Sequence, residues 1–435
     1  MPPFDIITTG AGPAGLLAAG EAARRGRRVL LLEKMEKPAR KLRITGKGRC
    51  NITNTGDWSA FEAHIFPAAR SFRPAFMHFP NTALIRFMEE EAGVPLIEER
   101  GRRIFPRSSR AQDVADALVR WTKRQGVTIR CHAEVTRLLV DRRRATAVEV
   151  RLDRRTEIIA ARALIVATGG LSYPATGSTG DGYRWAETTG HTITPTRPAL
   201  VALALVEPPA IAAPLTLRNV ALTLLIDGRE AGEEGGEMTF TAAAVEGPTI
   251  LRLSLRAVDA LRQEKKVALR LNLKPALSPR QIVRRLEREE REYAPAPLAA
   301  ALRRWLPAPL VAPFMAQARL TSAKNAAGLA GLTESDRARL VRTFHEWEFP
   351  VAGYGGYDRA VVTAGGVSMK DIDPKTMRSR TIENLFWAGE TLDLNADTGG
   401  YNLQIAFSTG YLAGLSAAAA CELPDANVPA RAPAD

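Results

Sequence analysis

Six residues, Gly10-Ala11-Gly12-Pro13-Ala14-Gly15, restrict what the N-terminal part of this chain can fold into more than any other stretch. They follow an extended apolar run at 4–9 and open an alanine-rich helical pattern at 13–25, after which 28–32 reads as a second short strand. The pattern predicts a βαβ unit. Gly10 permits the tight turn, Gly12 lets the backbone approach a pyrophosphate, and Gly15 lets helix and strand pack closely. The helix start, with Pro13 at its first position and Ala14 next, directs its amides at negative charge. Glu33 ends the run Leu30-Leu31-Leu32 and is placed to hydrogen-bond ribose hydroxyls, with Lys34 beside it. A tight turn that binds nothing is the plain alternative, and it leaves the acid unexplained. Thr8 and Thr9 are unusual in a strand normally buried on both faces, so their hydroxyls need partners.

With 435 residues and 46% hydrophobic composition the chain can bury a sizeable core in two or three domains. It opens without a basic segment and apolar signal core, and no stretch holds eighteen uninterrupted apolar residues, so a cytoplasmic protein with no membrane partner is expected. Cys50, Cys131 and Cys421 are odd in number and far apart, which argues against a disulfide framework or a cysteine zinc site. The five histidines are scattered, and Cys131-His132 falls in a predicted strand where neighbours point to opposite faces, so no metal site is expected. The net charge of +13 fits either a polyanionic partner or an arginine-rich compositional bias.

Along the chain, a second α/β segment spans 82–168, with helical patterns at 82–91 and 111–125 and strands at 127–130 and 163–167. From 195 the texture changes to short β-type runs, among them 201–206 and 220–226, with a turn at Asp227-Gly228. This predicts an inserted β-rich domain at 195–277 that is rejoined at 346–356. Between them, 278–345 reads as a small helical subdomain, opened by Ser278-Pro279 and carrying a capping-box pattern at Thr333 and Asp336. Glycine-rich β-type sequence resumes near 360 and leads to a helix at 402–420; 424–435 reads as a disordered tail. Residues 1–194 and 357–423 therefore make one dinucleotide-binding domain from the two ends of the chain. Gly232 to Gly236 reads as a hairpin loop rather than a second fingerprint, so no dedicated NAD(P)H domain is predicted.

The fingerprint alone does not separate FAD from NAD; distant features point to flavin. One is Ala163-Leu164-Ile165-Val166-Ala167-Thr168-Gly169-Gly170, an apolar strand entering a threonine-glycine turn. The other is Asn384-Leu385-Phe386-Trp387-Ala388-Gly389-Glu390, where an acid placed to hold the ribityl chain follows glycine. After it, Thr398-Gly399-Gly400-Tyr401-Asn402-Leu403-Gln404 opens a helix whose start would face the flavin ring and favour its anionic reduced form. The plain alternative is an ordinary turn and cap. The basic loop Lys41-Leu42-Arg43-Ile44-Thr45-Gly46-Lys47-Gly48-Arg49-Cys50-Asn51 suits pyrophosphate or flavin, or is a solvated basic loop. Gly177-Ser178-Thr179-Gly180-Asp181-Gly182-Tyr183 suits close approach to the flavin, or is a flexible turn.

Taken together, these segments and Thr363-Ala364-Gly365-Gly366-Val367 resemble the BaiN/RdsA-type family of NAD(P)/FAD-dependent oxidoreductases over nearly the whole chain. The resemblance implies an α/β fold: a Rossmann-like FAD-binding domain of two sequence halves, an inserted β-barrel-like domain and a small helical subdomain. It also implies reduction of a carbon–carbon double bond conjugated to a carbonyl, on unsaturated oxo-bile acids in one type and on uridine of large-subunit ribosomal RNA in another. Hydride would come from reduced flavin and a proton from a general acid. Cys50 is the thiol in the family loop, a proton donor or a small buried residue, while Arg49 and Lys47 would stabilise negative charge. NAD(P)H would visit as a transient electron donor. Where relatives read Phe-Thr-His-Phe-Gly-Leu-Ser-Gly-Pro, this chain has Phe240-Thr241-Ala242-Ala243-Ala244-Val245-Glu246-Gly247-Pro248, with Ala242 in place of histidine and Glu246 as a new acid. Ribosomal RNA is the favoured partner over a small-molecule enone, because of the basic net charge and because Arg280, Arg284, Arg285, Arg288, Arg291, Arg303 and Arg304 could follow an RNA backbone. The glutamates between them equally fit a salt-bridged solvated face. A non-catalytic flavoprotein that binds RNA or a protein is the third reading.

Overall fold

Four short strands without a charged residue, Ile6–Thr9, Val29–Leu32, Ala163–Val166 and Leu385–Trp387, are buried along their whole length, as parallel strands covered on both faces must be. They are the centre of a seven-stranded sheet in a computed structural model that describes residues 4–153, 155–211, 214–293 and 296–421. The sheet order is Ile372–Asp373, Arg378–Ser379, Leu385–Trp387, Ala163–Val166, Ile6–Thr9, Val29–Leu32 and Thr128–Arg130. The last five run parallel, with Ile6 opposite both Ala163 and Val29. Strands from the two ends of the chain thus lie side by side. The tail read as disordered, 424–435, lies outside the described residues.

The chain divides into two compact units, Met1–Pro198 with Tyr357–Asp435, and Ala199–Gly356. In the first, helix Tyr401–Ala420 packs on helix Pro13–Arg24 at glycines four residues apart. A Cβ on Gly410 would sit 2.4 Å from the Ala14 carbonyl oxygen, and one on Gly414 2.3 Å from that of Ala18. By length and composition this C-terminal helix could cross a membrane, but 67% of its apolar window is buried inside the protein. Cys131 and His132 are not in a strand: the strand ends at Arg130, and His132 takes a left-handed conformation (φ 53°) before Ala133–Asp141 begins.

The second unit contains a closed six-stranded barrel in the order Leu203–Leu205, Ala244–Glu246, Arg229–Phe240, Leu215–Ile226, Val267–Asn272 and Trp347–Tyr354. Gly232 to Gly236 lies within a strand rather than a hairpin loop. The turn is at Asp227-Gly228, where both residues have positive φ, as a tight hairpin requires. A Cβ on Gly232 would lie 2.8 Å from the Arg256 guanidinium, the mobile end of a long side chain that can shift aside. The helices Pro279–Tyr293, Ala308–Gln317 and Glu334–His345 bury Ile282, Leu286, Phe314 and Phe344 in one core with Leu271, Trp347 and Phe349. The helical segment and barrel therefore share an interior, and their amphipathic faces are covered by each other. The Thr333–Asp336 capping box has both of its hydrogen bonds, and Ser278 and Gln281 bond reciprocally in the same way.

The helix crossing leaves no room for side chains. Gly414→Val is expected to lower the urea unfolding free energy by roughly 1–3 kcal/mol or more through overpacking. Gly353→Ala, where nothing lies within 4 Å, should change it by less than about 0.5 kcal/mol.

Candidate cofactor and active site

The three fingerprint glycines differ in what surrounds them. Gly10 has φ 92°, and a Cβ there would lie 2.5 Å from the Ala167 carbonyl oxygen; a Cβ on Gly15 would lie 1.9 Å from that of Gly10. Both are demanded by the backbone itself. Gly12 has an unstrained conformation (φ −78°) and nothing within 4 Å of a Cβ. It is the N-cap of helix Pro13–Arg24, no side chain caps that helix, and Pro13 occupies its first turn. An uncapped helix start beside open space is what a diphosphate needs. Ala14 lies under Gly389, whose Cβ would be 2.9 Å from its own.

Glu33 is gripped by backbone amides: one oxygen accepts from Ala11 N and the other from Met35 N, each at 2.9 Å. Burial raises its pKa, against the pull of those amides. Next to it, Lys34 Nζ pairs with Asp181 Oδ2 at 2.6 Å, and Asp181 also pairs with Arg184. These two residues, both assigned to the cofactor from sequence, thus meet each other. Thr9 donates weakly to the Ile165 carbonyl at 3.4 Å, while the buried hydroxyls of Thr8 and Thr168 have no partner among the described residues. Thr168 stands before Gly169 (φ 76°), and its unpaired hydroxyl is available to a bound group.

Glu390 gathers the other half of the site. Lys41 Nζ pairs with its Oε2 at 2.6 Å; Ser172 Oγ and Thr363 N donate to its Oε1 at 2.7 and 2.8 Å. Thr363 Oγ1 in turn accepts from Leu171 N and Ser172 N. Ser172 was not singled out from sequence, and Thr363 was seen only as part of a motif. Gly389, with φ 73°, donates its N–H to Thr409 on the C-terminal helix.

In the basic loop, the turn Leu42–Gly48 is broken by Gly46 and Lys47 in left-handed conformations, and Gly48 also has positive φ. Cys50 is wholly buried, and burial pushes its thiol pKa up to about 12, so it sits as a core residue rather than on an open face. Arg49 pairs with Glu99 and lies over the Phe105 ring at 4.5 Å. The Asn51 amide, oriented to satisfy its neighbours, accepts from Gly400 N at 3.0 Å and donates to Thr53 O at 3.1 Å. Gly400 (φ 100°) caps helix Tyr401–Ala420 with no side-chain cap, and a Cβ there would be 2.4 Å from the Thr53 backbone. Asn402 clamps the Ala396 backbone, accepting at 2.8 Å and donating at 2.7 Å, and Leu403 is half-buried beside it. The Asn402 amide is thus committed to protein.

At the same helix start lies a group that the sequence did not disclose. His64 Nδ1 is 2.9 Å from Asp397 Oδ2, and its ring stacks on Tyr401 at 4.6 Å between centroids. Asp397 N donates back to the His64 carbonyl at 3.0 Å. His64 is partly exposed and Asp397 is less so. Among the described residues, no three His, Cys, Asp or Glu side chains gather as a metal site would require.

In the second unit, Ala242 is exposed in a turn closed by Thr241 and Ala244, and Glu246 is also exposed. Of the arginines proposed to follow RNA, Arg285 lies over Trp305, and Arg304 lies over Tyr293 and pairs with Glu289 at 3.0 Å. Arg280, Arg284, Arg291 and Arg303 are exposed.

The family model described as "HI0933-like protein Rossmann domain" matches residues 4–416. The chain is 30% identical over 418 residues to "Ribosomal RNA dihydrouridine synthase" of Escherichia coli (strain K12), covering 94% of this chain and 97% of that one. It is also 30% identical over 413 residues to "3-dehydro-bile acid delta(4,6)-reductase" of Clostridium scindens, covering 94% and 98%. Among solved structures, 3-ketosteroid delta1-dehydrogenase from Sterolibacterium denitrificans superposes with a TM-score of 0.54 at 13% identity, covering 96% of this chain and 99% of that one, a likeness of fold.

Two measurements check the site. Gly12→Ala should leave the melting temperature of flavin-free protein unchanged yet abolish flavin retention through gel filtration, whereas Gly10→Ala should damage both. In native protein at pH 8, a thiol reagent should modify the partly exposed Cys131 first and reach Cys50 only on unfolding.

Proposed function

Because the chain belongs to the HI0933-like Rossmann family, we propose that this FAD-dependent oxidoreductase reduces a carbon–carbon double bond conjugated to a carbonyl, with uridine of large-subunit ribosomal RNA as its substrate. The observation that carries the reading is the near full-length likeness to two reductases whose named substrates or products share that chemistry. RNA is placed ahead of a small enone by the net charge of +13. NAD(P)H is the proposed electron source, visiting transiently.

The residues present fit FAD. Gly12 and the helix start behind it suit the diphosphate, Glu33 the ribose, and Glu390 with Lys41 the polyol chain; Thr168 supplies a hydroxyl with no protein partner. Reduced FAD, when bound, supplies a hydride. The chain must then stabilise charge on the substrate carbonyl and deliver one proton to the neighbouring carbon. The helix start at Gly400 offers uncapped amides for the first task. For the second we assign His64, whose Nδ1 is held by Asp397 and whose Nε2 is left to carry the proton. Cys50, assigned this role from the resemblance, is enclosed in the core with its proton held tightly. Within that loop Arg49, which is paired with Glu99, and Lys47 remain the proposed cations.

His64→Phe should retain flavin but slow product formation about hundredfold, while Cys50→Ala should stay within about threefold; equal rates for wild type and His64→Phe would refute the assignment. For the substrate, nucleosides from large-subunit ribosomal RNA of cells with and without this gene are compared by mass spectrometry. Dihydrouridine that vanishes with the gene and returns with wild type but not with Glu390→Ala is the expected result. Unchanged dihydrouridine, together with turnover of a steroid-like enone, would move the assignment to small molecules; retained flavin with no turnover of either would make it a binding protein.

A further inference from the structure

A charged turn borders the start of the C-terminal helix and takes no part in the cofactor site. Strands Leu96–Glu99 and Arg103–Pro106 form a hairpin, Glu99 opposite Arg103, closed by Arg100-Gly101-Arg102. Asn54 fixes this turn to the site: its Nδ2 donates to Gly101 O at 3.0 Å and to Gly399 O at 3.3 Å. Thr55 N donates to Arg102 O at 2.9 Å, and Asn81 holds Asn54 from behind by donating to its carbonyl at 2.7 Å. A rigid polar strut thus joins the turn to the glycine before the helix cap.

Arg100 and Arg102 are exposed, and among the described residues neither pairs with a carboxylate. Arg103 behaves differently: its Nε closes the turn on Arg100 O at 2.9 Å, and its guanidinium lies over Phe105. Arg102 also takes a left-handed conformation, φ 60°, after Gly101 at φ 81°. That conformation carries a modest steric cost for arginine, which glycine would not carry. Residues 96–110 hold five arginines against two glutamates, and one of those glutamates is taken by Arg49. The helix Pro279–Tyr293 has five arginines against four glutamates. Beyond the hairpin, a groove of about 420 Å³ is lined by Pro95, Arg107, Ser108, Asp113 and Arg120, continuing the basic surface with one acid in it.

We propose that this hairpin is the surface that holds RNA at the site, Arg100 and Arg102 contacting backbone phosphates while the reacting base lies toward Gly399–Gly400. The inference rests on the RNA reading above and replaces the arginine helix as the main RNA contact. Exposed guanidinium groups on a fixed turn suit phosphates, because positioning contacts need charge and register rather than base readout.

The test uses holoenzyme, with flavin content checked by absorbance, and a fluorescein-labelled single-stranded RNA of mixed sequence followed by anisotropy across a salt series. The variant is Arg100→Ala with Arg102→Gly, glycine suiting the left-handed backbone; Arg280→Ala with Arg284→Ala is the comparison. The hairpin variant is expected to bind about tenfold more weakly at moderate salt and to lower the slope of log K against log salt by about 1.4, two single-strand phosphate contacts' worth. The helix variant should match wild type. An unchanged slope for the hairpin variant, or the loss appearing in the helix variant, overturns the inference while wild-type dihydrouridine formation keeps the functional reading. Weakened binding of NADPH with unchanged RNA affinity also overturns it, since the turn would then read the donor's phosphate. Wild-type holoenzyme that neither binds this RNA nor makes dihydrouridine overturns both.

Discussion

Backbone contact between the first and last helices is the constraint on which the rest of the flavin unit depends. Gly410 and Gly414 let helix Tyr401–Ala420 rest on the carbonyls of Ala14 and Ala18. That contact fixes the start of one helix, where Gly12 faces open space, relative to the start of the other, where Gly400 is pinned by Asn51. Both helix starts are uncapped by side chains. Their partial positive charges are thus held in place for a ligand carrying negative charge at two separated points.

Glu390 shows how the two sequence halves are tied electrostatically as well as sterically. A carboxylate between Lys41, Ser172 and the Thr363 amide joins three segments that are far apart in sequence. Losing any one partner leaves the others facing an under-bonded charge, which is costly where water is scarce. In the proposed function the same carboxylate holds the cofactor's polyol, and order in this network and order in the bound group would then reinforce each other.

Much of the scaffold was legible because local rules and tertiary demands agreed. Gly10 and Gly15 are glycine for steric reasons that any such turn shares, and Thr333 with Asp336 forms the capping box its spacing promised. Reading failed where local signals were ambiguous: Gly232 to Gly236 has loop composition, yet pairing with Leu215–Ile226 makes it a strand. The partners of Glu390 and the His64–Asp397 pair were invisible for a different reason. Their members are separated by up to 349 and by 333 residues, and no local pattern marks residues that meet only after folding. For Cys50 the sequence offered both a proton donor and a small buried residue, and its full burial favours the second.

The helix crossing also sets an order of events at the ribosome. Strands Ile6–Thr9 and Val29–Leu32 and helix Pro13–Arg24 emerge first, but the central strand Leu385–Trp387 and the helix that covers the sheet are nearly the last segments made. At about 5–20 residues per second, the N-terminal half waits for roughly 20–80 s with an apolar helix face uncovered. The inserted unit, Ala199–Gly356, is contiguous and has its own core, so it can close on itself during that interval. If Glu390 and Gly400 hold the cofactor as proposed, its capture waits for completion of the polypeptide, because a nascent chain truncated before them has one of the two helix starts and lacks the other.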